Sequence, residues 1–192
     1  MKKILIATIL SSVASFASAD VKPYIEGSVG YFDLDSTSSS ATRAEPDSDV
    51  NYGIEIGFKN IADTGLRLGG SYLYSEPDVK SYDATTGALA ETSKAKQKIY
   101  LFNAYYDFKN SSALTPFIGA GLGSHDWDTA FKETTYALHG GAKYNIDKNI
   151  YIGVKGSYFR TKDFTTTGIS EATESFSDMD SFAANATLGY EF

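Results

Sequence analysis

From Phe182 to Phe192 every second residue is apolar: Phe182, Ala184, Ala186, Leu188, Tyr190 and Phe192. The residues between them, Ala183, Asn185, Thr187, Gly189 and Glu191, are small or polar. Side chains of a strand switch faces at each step, so this pattern predicts one strand with an apolar face and a small or polar face. Seven more segments repeat the design. Near the start, Ile25, Val29 and Tyr31 oppose Glu26, Ser28 and Gly30. Next, Val50, Tyr52, Ile54, Ile56 and Phe58 oppose Asn51, Gly53, Glu55, Gly57 and Lys59, and then Leu66, Leu68, Tyr72 and Tyr74 oppose Arg67, Gly69 and Ser71. Tyr100, Phe102, Ala104, Tyr106 and Phe108 oppose Asn103, Tyr105 and Asp107, while Ile118, Ala120 and Leu122 oppose three glycines. Tyr136, Leu138, Ala142 and Tyr144 oppose His139, Gly141, Lys143 and Asn145. Ile150, Ile152, Val154 and Tyr158 oppose Gly153, Lys155 and Ser157. No helical period competes with these runs.

The connections alternate in length. Ile61–Thr64, Lys109–Thr115 and Asp147–Lys148 are short, whereas Asp35–Asp49, Ser75–Lys96, Ser124–Glu133 and Thr161–Asp180 are longer and polar. Such segments are expected to be solvated loops. An even strand number with turns at one end and loops at the other predicts an all-β fold, an eight-stranded antiparallel up-and-down transmembrane β-barrel.

Alternation alone does not say which face is inside, because a soluble sandwich alternates too. Three features turn the apolar face outward. The polar face is crowded with glycine, which suits the narrow interior of a small barrel better than a solvated surface. Aromatics on the apolar face gather in two levels around an aliphatic band, as at two membrane interfaces. One level comprises Tyr31, Tyr52, Tyr72, Tyr74, Tyr100, Tyr136, Tyr158 and Phe182; the other comprises Phe58, Tyr106, Phe108, Tyr144, Tyr190 and Phe192. Finally, the polar-face acids Glu26, Glu55, Asp107 and Glu191 match the bases Lys59, Arg67, Lys143 and Lys155 in number. Enclosed charges must pair or they cost several kcal/mol each, so an ionic cluster of these eight is expected inside the barrel.

Composition narrows the classes further. The 192 residues include 14 Tyr, 12 Phe and 17 Gly but no Cys, which excludes a disulfide framework or a thiolate metal site. Lys2, Lys3, the apolar run Ile4–Phe16 and Ala17-Ser18-Ala19 read as a secretory leader, residues 1–19, cleaved before Asp20. The barrel domain would then occupy 20–192. The net charge is −7, and loss of Lys2 and Lys3 makes the remainder more acidic, which argues against nucleic acid as a partner.

Three stretches carry a resemblance: Asn103-Ala104-Tyr105-Tyr106-Asp107-Phe108, Thr115 through Gly123, and Leu188-Gly189-Tyr190-Glu191-Phe192. Together they resemble the small outer-membrane β-barrel superfamily, which includes the OmpA transmembrane domain, the OmpX/Ail proteins and the opacity proteins. The resemblance implies a location in the outer membrane, among its lipid and lipopolysaccharide. It also implies that Leu188, Tyr190 and Phe192 are read by the barrel-assembly machinery.

Catalysis is not expected. Lipid-modifying barrels of this size resemble a His-x-Ser arrangement on a strand, but His139 precedes Gly140-Gly141 and His125 precedes Asp126-Trp127. His139 is expected as an interior hydrogen-bonding residue and His125 at a loop mouth. The acidic loop residues do not reproduce the spacing of an EF-hand, so neither metal nor cofactor is expected. The expected role is a scaffold whose surface loops, with Tyr82, Trp127, Phe131, Phe164, Phe176 and Met179, contact an extracellular ligand. A narrow porin-like channel is the alternative, and a lipid-modifying enzyme ranks below it.

Overall fold

Twelve strands appear in the computed structural model, which describes residues 21–34, 37–38, 42–83, 88–94, 96–127, 131–161 and 179–192. They are β1 (Lys22–Leu34), β2 (Thr37–Ser38), β3 (Thr42–Pro46), β4 (Asp49–Ile61), β5 (Leu66–Ser75) and β6 (Asp78–Asp83). The remainder are β7 (Leu89–Lys94), β8 (Gln97–Asp107), β9 (Leu114–Trp127), β10 (Phe131–Asn145), β11 (Ile150–Thr161) and β12 (Met179–Glu191). The predicted leader and the aromatics Phe164 and Phe176 lie outside the described residues.

Eight strands close into an antiparallel barrel in the order β1-β12-β11-β10-β9-β8-β5-β4. They are the eight segments that alternate in the sequence. The closing seam joins first to last, with Ile25 opposite Tyr190 and Val29 opposite Ala186, and the Phe192 amide donates to the Pro23 carbonyl at 3.0 Å. Closure pairs every strand on both sides, so the wall has no free edge.

The pleat places the two faces as the alternation predicts. In β8, Gln97, Ile99, Leu101, Asn103, Tyr105 and Asp107 are buried, while Tyr100, Phe102 and Tyr106 are exposed. The outer wall carries Ile54, Ile56, Ile118, Leu122, Leu138, Ile152 and Val154 in an aliphatic belt. Of the fourteen predicted girdle aromatics, only Phe58, Tyr72 and Tyr74 are half-buried rather than exposed. Edge-to-face contacts within the girdles join Tyr106 to Phe108 and Tyr190 to Phe192, the latter with centroids 4.9 Å apart.

Three expectations about the connections need correction. The first and second long segments are not plain loops. They supply β2, β3, β6 and β7, which form a separate sheet in the order β2-β3-β6-β7. These short polar strands lack the apolar alternation that marks the wall, and their pairing runs through the backbone, which any sequence provides. The third long segment is largely wall as well: β9 and β10 stay paired from Thr134–Ser124 out to Phe131–Trp127, leaving only 128–130 between them. At the opposite end, Leu114 and Thr115 belong to β9 rather than to the preceding turn. The turn after β4 is tight, with Asn60, Ala62 and Asp63 at φ of 58°, 54° and 56°.

Candidate functional site

The lumen gathers the eight predicted charged residues, but not as one cluster. Glu26 comes from β1, Glu55 and Lys59 from β4, Arg67 from β5, Asp107 from β8, Lys143 from β10, Lys155 from β11 and Glu191 from β12. Six of them form a continuous chain. Lys155 Nζ lies 2.8 Å from Glu26 Oε1 and 3.6 Å from Glu55 Oε2. Arg67 reaches Glu55 at 3.3 Å through Nη1 and Asp107 at 3.4 Å through Nε, and Lys143 donates to Asp107 at 2.6 Å. Lys59 and Glu191 form a separate pair at the turn end. The split follows from register: Glu191 is opposite Tyr24 and Lys59 opposite Lys22 on the intervening strand β1, so the two meet across the turn end of that strand, beyond Glu26.

Sequence reasoning put Ser71, Asn103 and Tyr105 on the inward face without assigning them to this chain, and it missed Tyr24 and Tyr151, which complete it. The Tyr24 hydroxyl donates to Glu55 at 2.5 Å, Tyr105 to Glu55 at 2.7 Å and Tyr151 to Glu26 at 2.8 Å. Asn103 Nδ2 donates to Glu55 at 3.1 Å and to Ser71 at 2.8 Å. Arg67 is sandwiched by rings, its Cζ 3.9 Å from the Tyr105 centroid and 5.2 Å from that of Phe117. Strand parity was the available signal, since Tyr24 and Tyr151 share parity with Glu26 and Lys155. Two glycines make room for the rings. A Cβ at Gly189 would fall 2.0 Å from the Tyr151 ring, and one at Gly119 would fall 2.3 Å from the Tyr105 ring.

Toward the loop end the lumen changes character. Phe32, Ile99, Leu101, Ala137, Phe159 and Ala183 form an apolar cluster, with the Phe32 and Phe159 rings 5.4 Å apart. Beyond it His125 Nε2 lies 2.9 Å from Gln97 Oε1, Gln97 donates to Ser75 at 2.5 Å, and Thr135 bonds Thr161 at 3.0 Å. His125 is thus fully buried rather than at an open mouth, because β9 continues past it. His139 is an interior hydrogen-bonding residue as expected: Nδ1 lies 2.9 Å from Ser157 Oγ and Nε2 lies 3.2 Å from Asn103 Oδ1. That order resembles a nucleophile, base and orienting group. All three are enclosed, with Ser157 2% and Asn103 1% exposed. A cavity of about 380 Å³ opens at the turn end, lined by Lys22, Lys59, Asn145 and Glu191 and reaching Asp107 and Lys143.

At the loop end, polar contacts tie the connecting residues Glu76 and Ser48 to barrel strands and extend the ladder between β3 and β6. Glu76 N donates to Asp49 Oδ2 at 2.8 Å, Ser48 to Asp33 at 3.0 Å, and Asp47 N to the Asp78 carbonyl at 2.8 Å. Lys80 pairs with Asp47 at 2.8 Å, and that carboxylate, by its hydrogen bond and then its charge, holds the Lys80 ammonium above the usual lysine range. Among the described residues, no three His, Asp or Glu side chains converge in a way that could hold a metal ion.

An aliphatic belt between aromatic levels, on a sheet with no edge and a polar lumen, defines a barrel that crosses a membrane with its strands. The chain belongs to the outer membrane protein beta-barrel domain family, which matches it over residues 4–192. Among solved structures it is similar to neisserial surface protein A, at 17% identity and TM-score 0.60, over 91% of this chain and 100% of that one. It is also similar to outer membrane protein OprG from Pseudomonas aeruginosa, at 14% identity and TM-score 0.63, over 92% and 98%. AlkL, determined in lipid bilayers, aligns at 14% identity and TM-score 0.59, over 92% of each chain. At these identities the likeness is one of fold. No curated protein sequence matches the chain.

Proposed function

We propose that this outer-membrane barrel is a non-catalytic scaffold closed to solutes, and that its long connections, held outside the cell, contact an extracellular ligand. The carrying observation is the filled lumen. The ion-paired chain from Glu26 to Lys143 crosses it, and the apolar cluster around Phe32 and Phe159 lies beyond. An eight-stranded barrel has an interior just wide enough for side chains, and these occupy it. Planar-bilayer recording tests the reading: the native protein should give no steady conductance, and a steady conductance abolished by bulky lumen substitutions would overturn it. The channel reading has one observation in its favour, the cavity at the turn end, but Asp107 and Lys143 line it and are bonded to each other.

In this reading the leader is cleaved before Asp20, and Leu188, Tyr190 and Phe192 are the assembly signal; the exposure of these three on the outer wall supports the second assignment. Protease added to intact cells should cut within the long connections and spare Lys109 and Lys148 in the short turns. The enclosure of His139 and Ser157 supports the absence of catalysis. Replacing His139 by Ala should leave the acylation of lipid A unchanged.

A further inference from the structure

One level of the lumen is polar yet unsatisfied. Gly30 on β1 lies opposite Asn51 on β4 and Asn185 on β12, so the two asparagines flank it on adjacent strands. Both are buried, Asn51 at 0% and Asn185 at 5% exposure. Neither carboxamide has a hydrogen-bond partner at Nδ2 or at Oδ1. Of the seven buried side-chain polar atoms without a hydrogen bond among the described residues, these two residues hold four. The residue type is not the cause, because Asn103 on β8 bonds Glu55, Ser71 and His139.

We propose that this level is a bound-water site linking Asn51 and Asn185 across Gly30. Each amide lacks both an acceptor for its N–H and a donor for its oxygen. A cation would satisfy only the oxygens and an anion only the nitrogens, whereas water serves both. The neighbouring charge is spent as well: Lys155, opposite Asn185, is paired with Glu26 and Glu55. Strand spacing of about 4.8 Å puts the two Cα atoms about 10 Å apart, and the Asn185 side chain already reaches over Gly30 into that distance, so the proposed bridge is one shared water rather than a file of them. Gly30 suits this level because a Cβ there would fall 2.0 Å from the Ala184 carbonyl oxygen and 2.5 Å from Asn185 Oδ1, so the absent side chain lets the Asn185 carboxamide lie over β1 toward Asn51. The site lies at the seam of the lumen. Glu26 and the ionic chain are on one side along β1, and Phe32 of the apolar cluster is on the other.

Solid-state NMR of the full, isotope-labelled protein in lipid bilayers tests this by magnetisation transfer from water. Transfer to the Asn51 and Asn185 side-chain amides is expected, as it is to Asn145 at the open turn-end cavity. Transfer to Asn145 but to neither buried amide would overturn the proposal. Asn185→Leu should weaken the transfer to Asn51, and the double variant Asn51→Leu/Asn185→Leu should unfold at an equal or lower temperature. A higher unfolding temperature would overturn it too, because leucines relieve dry, orphaned amides but only displace bound water. Should the variants not fold, the native spectrum alone decides.

Discussion

The protein contains two β-sheets built from the same backbone pairing, and they differ in almost everything else. The barrel uses strands of 10 to 15 residues and closes β1 on β12, leaving no edge. The outer sheet uses strands of 2, 5, 6 and 6 residues and stays open, with β2 and β7 as its edges. Closure creates an enclosed lumen, where each charge must find its partner and each ring its gap. The open sheet rests on its ladder and a few solvated polar contacts, such as Lys80 with Asp47. Side-chain identity should therefore matter greatly in the first sheet and little in the second.

The strongest challenge to that contrast is Arg67→Ala. It leaves three buried carboxylates, Glu26, Glu55 and Asp107, facing only two cations, Lys143 and Lys155, and an uncompensated buried charge costs about 3–5 kcal/mol. Urea titration in vesicles should show that loss, and a change below about 1 kcal/mol would put Arg67 in the class of solvated pairs. Next comes the lipid face. Val154 is 64% exposed in the middle of β11, and Val154→Arg should cost about 2–4 kcal/mol in the same assay. No penalty there would mean that the wall does not meet hydrocarbon. Gly189→Ala is smaller in volume but places a methyl 2.0 Å from the Tyr151 ring, with an expected loss of about 1–3 kcal/mol. Pairing it with Tyr151→Ala should give less than the sum of the two single losses. Lys80→Ala in the outer sheet should leave the urea midpoint of the barrel essentially unmoved, the smallest effect of the four. A larger effect would show that the two sheets unfold together.

The legible part of the site follows the same division. Glu26, Glu55, Arg67, Asp107, Lys143 and Lys155 are inward by parity, and parity is written in a run of a few residues. Their partners are not. Lys155 and Glu26 are 129 positions apart and meet only because β11, β12 and β1 pair in one particular register. The outer sheet left no trace because Thr42–Pro46 and Leu89–Lys94 lack an apolar face. It forms where β3 and β6 are brought side by side above the rim.

The sequence by itself determined the eight wall strands, their order of turns and loops, the outward aliphatic belt and the inward charges. It could do so because a strand's two faces are a local property with a period of two residues. Only the tertiary structure decided that six charges form one chain and two stand apart. It also set an apolar layer behind that chain, buried His125, and made two polar connections into a sheet. Those outcomes depend on register and closure around the whole ring, which no single stretch of chain contains.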